Sequence, residues 1–128
     1  MKFHEYIYAI VFVPYAFRHI HRIRKELINS SYASILECKI TKRQKTKKVA
    51  PLTKSYFWAS KIYGKNICLA RSIALYQCLI QNGYAVEHRI GVSTNSNNFA
   101  AHAWVEYQKQ PLNEAKDLKV KFSVLKKP

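Results

Sequence analysis

Three cysteines and five histidines are the residues in this 128-residue chain that could do nucleophilic chemistry. A cysteine nucleophile needs a base to take its proton, and the base needs a partner that orients it. Cys68 is the candidate nucleophile because of where it falls in Gly64–Gly83, Gly-Lys-Asn-Ile-Cys-Leu-Ala-Arg-Ser-Ile-Ala-Leu-Tyr-Gln-Cys-Leu-Ile-Gln-Asn-Gly. Asn66 reads as an N-cap and Gly83 as the helix stop. Leu69, Ile73, Tyr76 and Ile80 recur at helical spacing, widened by Leu75 and Leu79, so the helix is expected to be buried. Cys68 then lies in the first turn, where unpaired backbone N–H groups favour a thiolate. Two histidines compete as base. His88 follows directly on the next element, and His102 lies among small neighbours in Ala-Ala-His-Ala-Trp. His4, His19 and His21 stand among basic or N-terminal residues and read as solvated.

After Gly83 the pattern becomes that of strands. Tyr84–Val92 alternates Val86, His88, Ile90 and Val92. A polar loop, Ser93–Asn98, leads to a second strand, Phe99–Tyr107. Ala101, Ala103, Val105 and Tyr107 share one face of it, and His102, Trp104 and Glu106 share the other. Gln108–Gln110 reads as a turn and Pro111–Glu114 as the start of a third strand. A cysteine-bearing helix followed by antiparallel strands is an α+β arrangement, which lets residues far apart in sequence meet.

Upstream, residues 6–17 form an apolar run of twelve, whereas a membrane-spanning helix needs ~20 residues. Arg18, His19, His21, Arg22, Arg24 and Lys25 follow it. This combination is read first as a helix packed on the domain and second as contact with a membrane surface. Residues 18–37 read as helical, with Ser30-Ser31 as a break or a new start. Lys39–Lys48 carries six basic residues in ten, with no interleaved aromatics, and reads as a solvated loop. Pro51 opens a short helix whose Tyr56, Phe57 and Trp58 are expected beside the Cys68 helix.

The chain is long enough for one real core. Its net charge is +15, and the surplus is uneven: residues 1–67 hold 14 basic and three acidic side chains, a net of +11. Such a surface attracts anionic partners. The Cys38, Cys68 and Cys78 spacing makes neither a disulfide framework nor a zinc hook, so a reducing, cytoplasmic setting and no metal are expected.

Four blocks, in order and with compatible spacing, carry a resemblance. Cys-Leu-Ala-Arg-Ser-Ile-Ala-Leu, Arg-Ile-Gly-Val, Ala-His-Ala-Trp-Val-Glu and Pro-Leu-Asn-Glu are similar to the processing proteins of lasso-peptide pathways. The likeness is to the transglutaminase-like C-terminal domain of the microcin-processing B protein and its relatives, over about residues 52–125. It implies a papain-like cysteine peptidase core of α+β class, a bacterial cytoplasmic setting and no cofactor. The core comprises residues 51–128, preceded by a basic helical extension of residues 1–50. It implies removal of a leader from a ribosomally made precursor before ring closure. The partners would be a small leader-binding protein and an asparagine-synthetase-like cyclase, with no specific nucleic acid.

Carried over, Cys68 is the nucleophile and His102 the base. The family's third member is an aspartate where this chain has Glu114, after Asn113. Strand parity separates the two: a two-residue turn at Gln108-Lys109 puts Asn113 on the histidine face, and a three-residue turn puts Glu114 there. Glu114 is favoured because a carboxylate better stabilises an imidazolium and the position matches, with Asn113 as the alternative. Trp104, Arg71 and Ser72 are candidate contacts for bound peptide, against plain packing or helix-anchoring roles. The competing functional classes are a basic binding module for nucleic acid or membrane, acting through residues 18–48, and a catalytically silent scaffold of the same fold.

Overall fold

The computed structural model describes residues 2–36, 48–64, 67–93, 100–112 and 123–124. Four helices precede the strands: α1 Phe3–Asn29, α2 Tyr32–Leu36, α3 Val49–Tyr63 and α4 Cys68–Gln81. The strands are β1 Val86–Ser93, β2 Ala100–Tyr107, β3 Gln110–Pro111 and β4 Ser123–Val124, in antiparallel order β3-β2-β1-β4. This is an α+β core in which α1, α3 and α4 pack together and α4 lies on the sheet.

The apolar run and the basic run are one helix, α1, with Pro14 inside it. Its inner stripe of Ala9, Ala16, Ile20 and Ile23 is fully buried, at i, i+7, i+11 and i+14. The chain breaks at Ser30, in extended geometry, before α2 starts at Tyr32.

The helix opened by Pro51 is longer than expected and starts at Val49. Pro51 is its third residue, where the missing N–H would have had no helical acceptor anyway. Its three aromatics point in different directions. Tyr56 is fully buried, Trp58 stacks on Tyr6 of α1 with centroids 6.5 Å apart, and Phe57 lies under Arg71 of α4.

One apolar cluster joins Ile20, Ile23 and Ile35 to Leu52, Ile73, Leu79, Val86 and Val105. The boundary expected at residue 50 therefore divides no core. The N-terminal helix supplies a wall of the domain instead of extending from it.

α4 buries Ile73, Leu75, Leu79 and Ile80, as its spacing predicts. It ends in a Schellman motif. Tyr84 N–H donates to Leu79 O, Gly83 N–H donates to Ile80 O, and Gly83 adopts φ +87°, a conformation that glycine takes without strain. β1 then pairs with β2 over its full length, from Val86 opposite Tyr107 to Ser93 opposite Ala100.

Candidate active site

The N-cap of α4 is Ile67 and not Asn66, which lies outside the described residues. Ile67 has φ −113° and offers no side-chain cap. The first closed turn is Arg71 N–H donating to Ile67 O at 2.8 Å. The amides before it, Cys68 included, have no acceptor within the helix, so the sulfur is held at the positive end of the dipole.

The sheet supplies the rest. Leu112 N–H donates to Val105 O at 2.8 Å, which directs the polar backbone of Val105 toward β3. Strand periodicity directs the Ala103 N–H to the same side. Among the described residues β3 pairs with Glu106 and Tyr107 and stops short of Ala103, where this edge faces the start of α4. Cys68 occupies that place. The Ala103 amide and the His102 imidazole stand beside its sulfur, and both favour the thiolate.

The His102 hydrogen bond is the main cause holding the Cys68 thiol below its ordinary range. Burial opposes this, since Cys68 is half-buried. The Ala103 amide and the charges of His102 and Arg71 reinforce it. The Arg71 guanidinium is placed 5.7 Å from the Phe57 ring centroid and 3.5 Å from Ser60 Oγ. Its side chain thus serves as a fixed positive charge near the sulfur.

Trp104, two residues along β2, stacks beside His102 with centroids 6.1 Å apart and planes 22° apart. It is 1% exposed, and its Nε1–H donates to Glu106 Oε2 at 3.0 Å. The other Glu106 oxygen lies 3.5 Å from Arg89 Nε. Trp104 is therefore a packed wall behind the histidine and not an open contact surface. Beyond it, at the far end of the sheet, a cavity of 420 Å³ is lined by Ala85, Glu87, Arg89, Glu106, Gln108 and Lys109, without Cys68 or His102.

His88, the competing base, is elsewhere. It is 4% exposed and held between two hydroxyls, Ser72 Oγ at 2.7 Å from Nε2 and Tyr32 at Nδ1. Ser72 donates its own proton to Leu69 O at 2.9 Å. It must therefore accept from Nε2–H of His88, which leaves Nδ1 to accept from Tyr32. Burial pushes His88 down to about 4. It is a neutral, fully satisfied core residue. Ser72, 2% exposed, anchors it.

His19 is likewise not solvated. It is 3% exposed, with Nδ1 at 2.6 Å from Tyr56 Oη and Nε2 at 2.9 Å from Gln77 Oε1. The buried side of α1 that carries Ile20 and Ile23 also carries His19, and that periodicity was the signal for its burial.

Gln108 and Lys109 have φ of 52° and 65°, and Tyr107 faces Gln110. This is a two-residue type I′ turn. The turn thus has the parity that sequence reasoning ties to Asn113 and not the three-residue parity that would favour Glu114. Asn113 and Glu114 themselves lie outside the described residues, as does Cys38. Among the described residues, no three His, Cys, Asp or Glu side chains gather as a metal site requires.

A thiol at a helix start, beside an imidazole from a neighbouring antiparallel strand, is the arrangement of papain-like thiol chemistry. The model for the transglutaminase-like superfamily matches residues 13–127, and the chain belongs to that superfamily, in which cysteine-peptidase activity is common. The match begins within α1, in keeping with the shared core. No curated protein matches the chain, and no solved structure does.

Proposed function

We propose that this protein is a cysteine peptidase that removes the leader from a ribosomally made lasso-peptide precursor before ring closure. The observation that carries the peptidase reading is the His102 imidazole beside the Cys68 sulfur at the start of α4, which favours the thiolate. The resemblance of the four sequence blocks supports the choice of substrate.

In this mechanism His102 takes the Cys68 proton and the sulfur attacks the scissile carbonyl carbon. The oxyanion is stabilised by backbone N–H groups at the helix start, that of Cys68 among them. His102 returns its proton to the leaving amine as the C–N bond breaks, giving a thioester. Water, deprotonated by His102, then attacks the thioester, and the Cys68 thiol is released. Asn113 or Glu114 orients the imidazole. The leader is presented by a separate leader-binding protein, and the freed core peptide passes to an asparagine-synthetase-like cyclase. Among the described residues no helix is long and apolar enough to cross a membrane.

The test is cleavage of a lasso precursor by the purified protein with its leader-binding partner, read by mass spectrometry. Cys68→Ala and His102→Ala should each abolish it with the circular dichroism spectrum unchanged, while Cys78→Ala retains it. Cleavage that survives in Cys68→Ala overturns the assignment. A wild-type protein that binds leader without cleaving it would make the chain a scaffold.

A further inference from the structure

The outer side of α1 takes no part in the thiol site and is exposed among the described residues. Phe3, Ile7, Ile10 and Val11 are 80%, 47%, 59% and 72% exposed, and Tyr15 is 50% exposed. Phe3, Ile7, Ile10, Val11 and Pro14 fall at i, i+4, i+7, i+8 and i+11, a single stripe opposite the buried Ala9–Ala16–Ile20–Ile23 side. Further along, the same stripe continues as Arg18 and Lys25, at i+15 and i+22, with Arg22 beside them; all three are exposed. One side of a rod about 40 Å long is therefore apolar in its first half and mainly basic in its second, where Ile28, 79% exposed, is the apolar exception. Its two acids stand apart: Glu5 pairs with Lys48 at 3.0 Å, and Glu26 is half-buried off the stripe.

We infer that this side of α1 is a docking surface for an anionic lipid bilayer. Two alternatives fit less well. A second copy could cover the apolar half but would leave Arg18, Arg22 and Lys25 with no acid on the stripe to meet them, in a chain of net charge +15. An acidic protein would have to supply an apolar groove for a convex ridge. A lipid surface needs no matching shape. It accepts Phe3, Ile7, Ile10 and Val11 among its acyl chains, and its phosphates meet the basic half. No membrane span is implied, because α1 buries its other side in the domain. The inference is independent of the proposed peptidase activity.

The test is co-sedimentation of the full chain with sonicated vesicles of phosphatidylcholine alone or with one-third phosphatidylglycerol. Binding is expected to the anionic vesicles and to weaken at 0.5 M salt. Two sets of substitutions at exposed positions leave the core untouched, and circular dichroism checks their folding. Ile10→Ser with Val11→Ser, and Arg18→Glu with Arg22→Glu and Lys25→Glu, should each weaken binding on the order of tenfold or more. Absence of binding, or equal binding to both vesicle types, overturns the inference. So does unchanged binding in the Ile10/Val11 variant, which would make the contact mere attraction of a basic protein to negative charge. Binding to an acidic protein with no affinity for vesicles would assign the surface to that partner instead.

Discussion

Cys68 and Cys78 show how little a cysteine's identity says without its surroundings. They are ten residues apart on one helix, ~15 Å along its axis. Cys68 has the helix start, the Ala103 amide and His102 around its sulfur. Cys78 is 4% exposed, within the apolar cluster and close to Tyr56. At neutral pH iodoacetamide should label Cys68 faster than a free thiol, with its half-maximal rate below the model thiol pKa of ~8.5. Cys78 should resist until the protein unfolds. His102→Ala should shift the Cys68 labelling profile upward, because the largest cause of the lowering is removed; an unmoved profile would place the cause in the helix start alone. The choice of third member can be tested at this scale too. The two-residue turn favours Asn113. On that parity Asn113→Ala should cut kcat for leader cleavage on the order of 10²-fold with little change in KM, while Glu114→Gln is mild. The reverse ranking would restore Glu114 and show that the register shifts after Leu112.

At the scale of elements, the β2–β3 hairpin carries a local conflict. Gln108 and Lys109 both hold the left-handed backbone that Asn and Gly prefer. A non-glycine residue there costs about 1 kcal/mol or slightly more. Lys109→Gly should therefore raise the melting temperature by a few degrees in a thermal scan, with Cys68 labelling unchanged, since Lys109 is exposed and remote from the sulfur. A loss of stability would mean that the Lys109 side chain contributes more than its backbone costs. α4 shows the opposite case, in which local sequence and structure agree. Gly83 closes the Schellman motif, and the apolar stripe of the helix is the one that is buried.

At the scale of the whole molecule, two buried histidines tie the layers together. His19 links α1 to α3 and α4 through Tyr56 and Gln77, and His88 links β1 to α2 and α4 through Tyr32 and Ser72. Burial lowers the pKa of both, that of His88 from an ordinary 6.5 to about 4. In the unfolded chain each binds a proton more readily than in the fold. The contribution of His88 is thus fully present above about pH 6.5 and is lost as pH falls toward 4, and that of His19 weakens in the same direction. For His88 this amounts to up to about 3 kcal/mol. Urea unfolding midpoints should fall across that window, and His88→Gln should flatten the slope while lowering the plateau. A midpoint that stays level from pH 6.5 to 4 would show that His88 protonates in place.

Much of the site was legible because it depends on short-range rules. The 3.6-residue period marked α4 and its buried stripe, and alternation marked β1, β2 and the face shared by His102, Trp104 and Glu106. First-turn placement marked Cys68, and the spacing of the four blocks pointed to the superfamily. What the sequence left open needed a third dimension. Alternation puts His88 and His102 on equivalent strands, and only the packing of Ser72 and Tyr32 shows that His88 is enclosed. The residue at a turn does not state the turn's length, so the parity behind Asn113 and Glu114 rested on backbone angles at Gln108 and Lys109. Composition made residues 1–50 look like an appendage, because charge is a property of surfaces. The buried side of α1, with Ala16, His19, Ile20 and Ile23, makes it part of the core, since burial is settled by which helix faces meet and not by how basic their outer sides are.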